Sequence, residues 1–471
     1  MPTAGGTGAA PAAGGARAQD PAAVLRSGRY LVLLVVAAAT GAPVAAAAYG
    51  FLALVSQLQT WLFHDLPGEL GFAGAPAWWP LPLLAIGGLL TAAVIRYLPG
   101  GGGPSPAEGF HLHGAPGPAQ LPGVVLAALA TLSFGAVLGP EAPLIALGGG
   151  LCVLALRLSR RPVPARLSAM LAAAGSFSAI STLLGSPVLG AFLLMEASGL
   201  SGMSMELVLL PGLLAAGVGA LVAIGLNAWS GLGTFSLAIP QLPHFARPDI
   251  IDFCWALVIG LAAALLGAVV RRLALLLRPH VERRLLVAVP AAGLAVAGLA
   301  ILYAQVTGKS SSQVLFSGQT ALAPLVSHGA GYPLGTVLLL LACKSLGYGL
   351  SLSSFRGGPV FPSLFTGAAG GLAMSHLPGL ALVPAVAMGM GAMCAVMLTL
   401  PLTAVLLATL LLFSDGIAVT PLVIVAVVVA YAAAARLTPK APADQAPAGQ
   451  AAAGQQAATG QSGPAGHRES E

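Results

Sequence analysis

The sequence predicts an all-α polytopic membrane protein built from tilted and broken helices, and three features predict it. Hydrophobic residues make up 57% of the chain and charged residues only 7%, whereas about one-quarter of a soluble domain is charged. Apolar runs of bilayer length recur from Tyr30 to Ala435. Glycine and proline interrupt some of these runs in the middle, so the backbone breaks inside the apolar layer. Such a break is tolerated only where it is buried in protein or lines a cavity. The net charge of +6 sits mainly in short loops, where it reports topology and gives no reason to expect a nucleic-acid partner.

Residues 1–27 are mostly Ala, Gly and Pro, too poor in large apolar side chains to offset the entropy of ordering, and are expected to form a disordered tail. Arg17, Arg26 and Arg29 precede an apolar run from Tyr30 to Phe63, which is too long for a signal sequence and places the N-terminus in the cytoplasm. A second span is predicted from Trp79 to Leu98, with Arg96 at its inner end. It is followed by Gly100-Gly101-Gly102-Gly103-Pro104-Ser105-Pro106, where bare backbone can approach a ligand closely and Pro106 is placed to open a short helix. A helix from Leu121 to Leu138 then leads into Gly139-Pro140-Glu141-Ala142-Pro143. Arg157, Arg160, Arg161 and Arg166 form a basic loop, expected inside. Ser186 to Ala197 gives another Pro-started helix, ending on Glu196.

A wetter link from His244 to Asp252 introduces a long helix to Leu277. A dense basic cluster follows, Arg271, Arg272, Arg278, Arg283 and Arg284, again expected in the cytoplasm. The link divides the membrane domain, residues 28–437, into one half at about 28–240 and another at about 245–437. Each half opens with a long helix, in opposite sense, and each holds a Gly/Pro-interrupted segment, the second being Gly357-Gly358-Pro359-Val360-Phe361-Pro362. That is the pattern of an inverted repeat with its binding site where the halves meet. Residues 438–471 return to Ala, Gln, Gly and Pro and form a second disordered tail, also placed in the cytoplasm.

Glu141 is the residue around which these elements are organised. It is a lone acid within an apolar run, and an intramembrane acid is a functional candidate by default. Gly139 reads as a break and Pro140 to Pro143 as the first turn of a new helix, whose first N–H groups lack internal partners and carry the positive end of the dipole. The plainer alternative is that Glu141 only caps its own helix. Other candidates are weaker. His111 and His113 lack a third metal ligand and read as interfacial polarity. The four cysteines are widely spaced and read as small buried residues, so no metal or other cofactor is expected. Gly460-Gln461-Ser462-Gly463 mimics a hydrolase elbow by chance in a tail, and Asp252 and Asp415 sit near segment ends without a partner.

These motifs resemble those of the CLC family of chloride channels and chloride/proton antiporters. The family signature Gly-Arg-Glu-Gly-Pro, with a later Gly-Gly pair, is matched by Gly139 to Pro143 and Gly148-Gly149, with Pro140 replacing the arginine and Ala142 a glycine. A second signature, Gly-x-Phe-x-Pro, is approximated within Lys344 to Thr366, with Val360 where phenylalanine is expected. Ala385 to Leu412 resembles the helix pair after it, and Ser186 to Glu196 the subunit-contact helix. The ordered set covers most of residues 30–437.

The resemblance implies a homodimer in the plasma membrane, with chloride held by helix N-termini and Glu141 as the gate. Three Gly/Pro helix starts are expected to converge, which makes Gly102, Gly103, Ser105, Gly139, Ala142, Val360 and Phe361 the anion-binding candidates. Gly102 falls at the family's filter serine on an ungapped reading, and Ser105 does so with one deletion. Pro359 has no N–H to offer, so the donors of the second loop are Val360 and Phe361. Close approach of chloride favours the protonated carboxyl, so transport is expected to respond to pH. Ala197 stands where the antiporters carry an inner glutamate. Glu196, one residue earlier, is the candidate for a proton path, with helix-end or subunit contact as its other reading. The inner-gate tyrosine has no clear counterpart. These departures incline the reading towards uncoupled or weakly coupled chloride conduction. Chloride/proton antiport and fluoride selectivity are the alternatives within the fold. The alternative from another class is a membrane-embedded enzyme or a carrier of another solute, and enzyme activity is not expected.

Overall fold

A computed structural model describes residues 26–437 apart from 113, 161–162, 200–202, 232–244, 246 and 413–415. The two tails (but for Arg26 and Ser27), His113, Arg161, Asp415 and His244 at the start of the link lie outside the described residues, as does Gly460-Gln461-Ser462-Gly463. Fifteen helices are labelled here in chain order. They are α1 (Gly28–Thr60), α2 (Pro80–Tyr97), α3 (Leu121–Ser133), α4 (Glu141–Leu158), α5 (Ala165–Leu184), α6 (Pro187–Ser198) and α7 (Met203–Ser230), followed by α8 (Ile250–Arg283), α9 (Leu285–Thr307), α10 (Gln319–Ser327), α11 (Leu334–Ser354), α12 (Val360–Met374), α13 (Leu382–Leu398), α14 (Pro401–Leu411) and α15 (Gly416–Leu437). Among the described residues nine helices are long and apolar enough to cross a membrane.

The two halves repeat one another. In the first, α1 packs on α5 and α7, and α4 on α5; in the second, α8 packs on α13 and α15, and α12 on α13. Glycines mark the same contact in both. A Cβ on Gly148 would strike the carbonyl of Gly175, and one on Gly367 the carbonyl of Gly389, so each pair of helices crosses with backbones touching. Both buried helices then stop on a left-handed residue, Gly185 after α5 and Thr399 after α13, and both chains restart at a proline, Pro187 or Pro401. The halves meet through α2 against α9, where Gly88 faces Pro290 and Gly293 faces Leu84, and through α6 against α14.

Burial follows from composition. α13 is apolar all round and is buried over Val383–Leu398, as expected of a helix in the interior of a bundle. α8 has an exposed stripe, Leu257, Leu261, Leu265 and Val269, at helical spacing, which suits a face against lipid chains. Its start is fixed by a capping box between Asp249 and Asp252, so Asp252 serves as a helix cap.

Several expectations need correction. α3 ends at Ser133, not Leu138, because Gly135 takes a left-handed φ of 101° and the Val137 N–H goes to Ser351 Oγ. α8 runs on to Arg283 with Pro279 inside it. Pro106 does open a short helix, a single 3₁₀ turn over Pro106–Glu108 with Ser105 as its N-cap, ended by Gly109 at φ 98°. Cys152, Cys343 and Cys394 are buried as expected, but Cys254 is exposed on α8.

The close crossings carry a stability prediction. Gly367→Ala is expected to lower the thermal unfolding midpoint of the solubilised protein, at a cost of about 1–3 kcal/mol for overpacking. Gly370→Ala, whose Cβ meets nothing within 4 Å, is expected to leave the midpoint unchanged or raise it.

Candidate functional site

Two short motifs of the same form, Gly-Pro-x-x-Pro, face each other at the centre of the bundle: Gly139-Pro140-Glu141-Ala142-Pro143 and Gly358-Pro359-Val360-Phe361-Pro362. Gly139 and Gly358 form an antiparallel bridge, each N–H donating to the other's carbonyl at 2.7 and 2.6 Å. Pro140 and Pro359 are the N-caps of α4 and α12, in nearly the same conformation (φ −84°, ψ 0° and φ −92°, ψ −6°). Leu144 and Ser363 donate the first backbone bonds of the two helices, to Pro140 and Pro359. Pro143 and Pro362 have no N–H, so each helix start keeps only two donors without a partner inside its own helix: Glu141 and Ala142 on one, Val360 and Phe361 on the other.

The acid reaches across this junction. Glu141 is fully buried, and its Oε1 accepts from the Phe361 N–H at 2.9 Å. Its Oε2 has no partner, and among the described residues no Lys, Arg or His lies within ion-pair range of it. Glu141 thus caps the helix of the opposite half, which neither the gate reading nor the own-helix reading specified. Its carboxylate rests on both bridge glycines, since a Cβ at Gly139 or Gly358 would collide with it.

A cavity of about 1070 Å³ adjoins the junction. Its wall includes Gly103 and Ser105 from the first loop, Ala142 beside the acid, and Gly357 and Pro359 beside the bridge. Gly102, Gly139, Val360 and Phe361 are not part of that wall. Gly102 is wedged against Ala127, and Phe361 holds the acid. Residues of the glycine loop, with the 3₁₀ helix start at Ser105 and Pro106, and of the two longer helix starts thus border one cavity.

The family model described as "Voltage gated chloride channel" matches residues 83–435. The chain belongs to this CLC family. Among curated relatives it is similar to YfeO of Escherichia fergusonii, named for ion transport, at 31% identity over 337 residues, covering 69% of this chain and 75% of the relative. YfeO of Escherichia coli O7:K1 gives the same figures. Among solved structures, a slow cyanobacterial Cl⁻/H⁺ antiporter matches with TM-score 0.69 at 20% identity, over 87% of this chain and 95% of that one. A CLC-type fluoride/proton antiporter matches with TM-score 0.60 at 19% identity, over 85% and 94%. At such identities these two structures speak for the fold.

Within the CLC frame Glu196 has a definite place. Its Oε1 accepts from Leu402 N–H at 2.9 Å, and its Oε2 from Thr403 N–H at 2.7 Å and Thr403 Oγ1 at 2.6 Å. It seats the start of α14, again across the two halves, and is not part of the cavity wall.

Three buried or partly buried polar residues escaped the sequence reading. Tyr348 donates to the Pro359 carbonyl at 2.9 Å and lies 3.1 Å from Ser363 Oγ, both in the first turn of α12. Lys344 is fully buried, with Nζ 2.9 Å from the carbonyls of Leu315 and Phe316 and 4.7 Å from the Phe365 ring centre. Arg356 stands between the first loop and the second motif. A signal existed for Lys344 and Arg356: they are isolated charges in an apolar stretch, which by itself marks a candidate.

Glu196→Ala removes the acceptor for three donors at a helix start. A loss of about 1–3 kcal/mol is expected, read as a lowered unfolding midpoint. Thr403→Val, which removes only the hydroxyl, is expected to cost less.

Proposed function

We propose that the chain conducts chloride across the plasma membrane through a pathway closed by Glu141. The family makes it an anion-transport protein of the CLC type; the particular ion, the gate and the coupling are inferred from the junction. The observation that carries the reading is the bond from the Phe361 N–H to Glu141 Oε1 at 2.9 Å, because that donor is one a dehydrated halide would use. Partial positive charge at helix ends attracts an anion without trapping it as a lysine would. A carboxylate on the same donor competes with the mobile ion. Protonation or displacement of the side chain frees the donor next to the cavity wall at Ala142.

Conduction is taken to be uncoupled or weakly coupled. The two solved neighbours are proton antiporters by name, one for chloride and one for fluoride, so proton coupling is the second reading. Glu196 is the candidate for an inner proton acceptor, yet it is already engaged by three donors at α14, which favours its helix-seating role. Tyr431, the last tyrosine, is exposed on α15 and supplies no inner gate. A second copy of the chain is taken to pack on the outer face of α6 and α14, where Val188 and Leu402 are exposed, with both termini in the cytoplasm.

Flux from purified protein in liposomes tests the reading. Wild-type chloride efflux is expected to rise as pH falls, as protonation removes the competing charge. Glu141→Gln is expected to conduct faster at neutral pH and to lose that pH response. Stoichiometric proton movement with chloride in the wild type would select antiport instead, and unchanged flux in Glu141→Gln would remove the gate.

A further inference from the structure

Arg356 is the one charged residue of the chain between Lys344 and Asp415. It lies in the link from α11 to α12, next to the cavity-wall residue Gly357. Its Nε donates to the Gly101 carbonyl at 3.4 Å and its Nη1 to the Phe355 carbonyl at 3.3 Å. Its own N–H is held by Thr131 Oγ1 at 3.2 Å. One guanidinium therefore ties the first glycine loop to the second motif. The side chain also backs the loop closely, since a Cβ on Gly102 would lie 3.4 Å from Arg356 Cγ.

The electrostatic setting is unusual for a partly buried arginine. Among the described residues no carboxylate is in ion-pair range of it. The acids that act on it through space are Glu108 and Glu282, and Arg278 is the nearby cation. Arg278 already takes both acids, Glu108 at 2.6 Å and Glu282 at 2.7 Å. The two acids and two arginines therefore sum to zero, with Arg356 supplying the positive charge that Arg278 alone cannot, while its guanidinium makes only two long bonds to carbonyls although it has five donors. Without Arg356 a net negative charge would stand beside the cavity, where Gly109, next to Glu108, forms part of the wall, and would repel anions.

We propose that Arg356 is a specificity-determining residue of this pathway. It raises anion occupancy at the cavity wall, and through its fork on Gly101 and Phe355 it sets the spacing of the two loops that choose the anion. The proposal rests on the halide-conducting reading of the junction. It also gives the chain a positive group near the filter where Pro140 has replaced the arginine of the family's first signature.

Chloride and nitrate uptake into liposomes, measured over a range of concentrations, provides the test. Arg356→Gln is expected to raise the apparent KM for chloride about tenfold while the maximal rate stays within about twofold, as loss of a nearby fixed charge predicts. Arg356→Lys keeps the charge without the planar fork, so its KM is expected within about threefold of wild type while its chloride-to-nitrate preference shifts by at least about threefold. Wild-type KM and preference in Arg356→Gln would overturn the proposal. If that variant fails to fold, judged by thermal unfolding in detergent, Arg356→Lys decides: an unchanged anion preference overturns it. Absence of chloride flux in the wild type would instead sink the underlying halide reading.

Discussion

The contact on which the rest of the molecule depends is the bond between Glu141 and the first turn of a helix more than two hundred residues away in sequence. Moving a carboxylate out of water costs several kcal/mol even after relaxation, of the order seen for buried ions. Here no cation offsets that cost. The offset comes from a helix end, whose N–H groups lack internal partners and carry a fraction of a positive charge. For this to work, two helices must begin at the same depth, face to face, with their backbones in contact. The Gly139–Gly358 bridge meets that requirement, and the carboxylate lies directly on the two glycines.

That requirement propagates outward. Two chain segments can exchange backbone bonds in the middle of a membrane only if protein surrounds them, and α13 and α12 are accordingly buried along almost their whole length. Helices that start inside the bundle are supported by crossings in which glycine meets backbone, Gly148 with Gly175 and Gly367 with Gly389. The same geometry serves both halves because the same sequence devices recur in both. The symmetry fails at one functional position: Glu141 in the first motif corresponds to Val360 in the second. One acid occupies the junction, and with a second acid in place of Val360 two like charges would share it.

Much of this was legible in the chain. A lone acid between a glycine and two prolines, and a second Gly/Pro break in the other half, pointed to the junction, and the missing N–H of Pro359 pointed to Val360 and Phe361 as donors. Which of the two meets the acid was not legible, because it depends on how α4 and α12 face each other. The repeat of Gly-Pro-x-x-Pro is short enough to pass unnoticed until the bridge places its two copies together. The end of α3 was misjudged because the Val137 N–H leaves the helix for Ser351, a partner no local pattern announces. Pro106 was read as the start of a short helix, and it opens a 3₁₀ turn that Gly109 closes at once. Tyr348 was invisible for a different reason: an apolar helix accommodates a tyrosine, and only the Pro359 carbonyl shows what its hydroxyl does.

A common rule links the buried charges. Glu141 and Glu196 are held by backbone N–H groups, with one threonine hydroxyl added at Glu196. Lys344 and Arg356 are held by backbone carbonyls. Although both signs are present in the interior, the acids and bases are not paired with each other among the described residues. Direct pairing would satisfy each group more strongly, since breaking a buried ion pair costs about 3–5 kcal/mol. An acid locked to that degree could not leave its donor for a passing anion. Holding each charge by dipoles keeps it in place without cancelling it, and an anion pathway through a low-dielectric interior needs that condition.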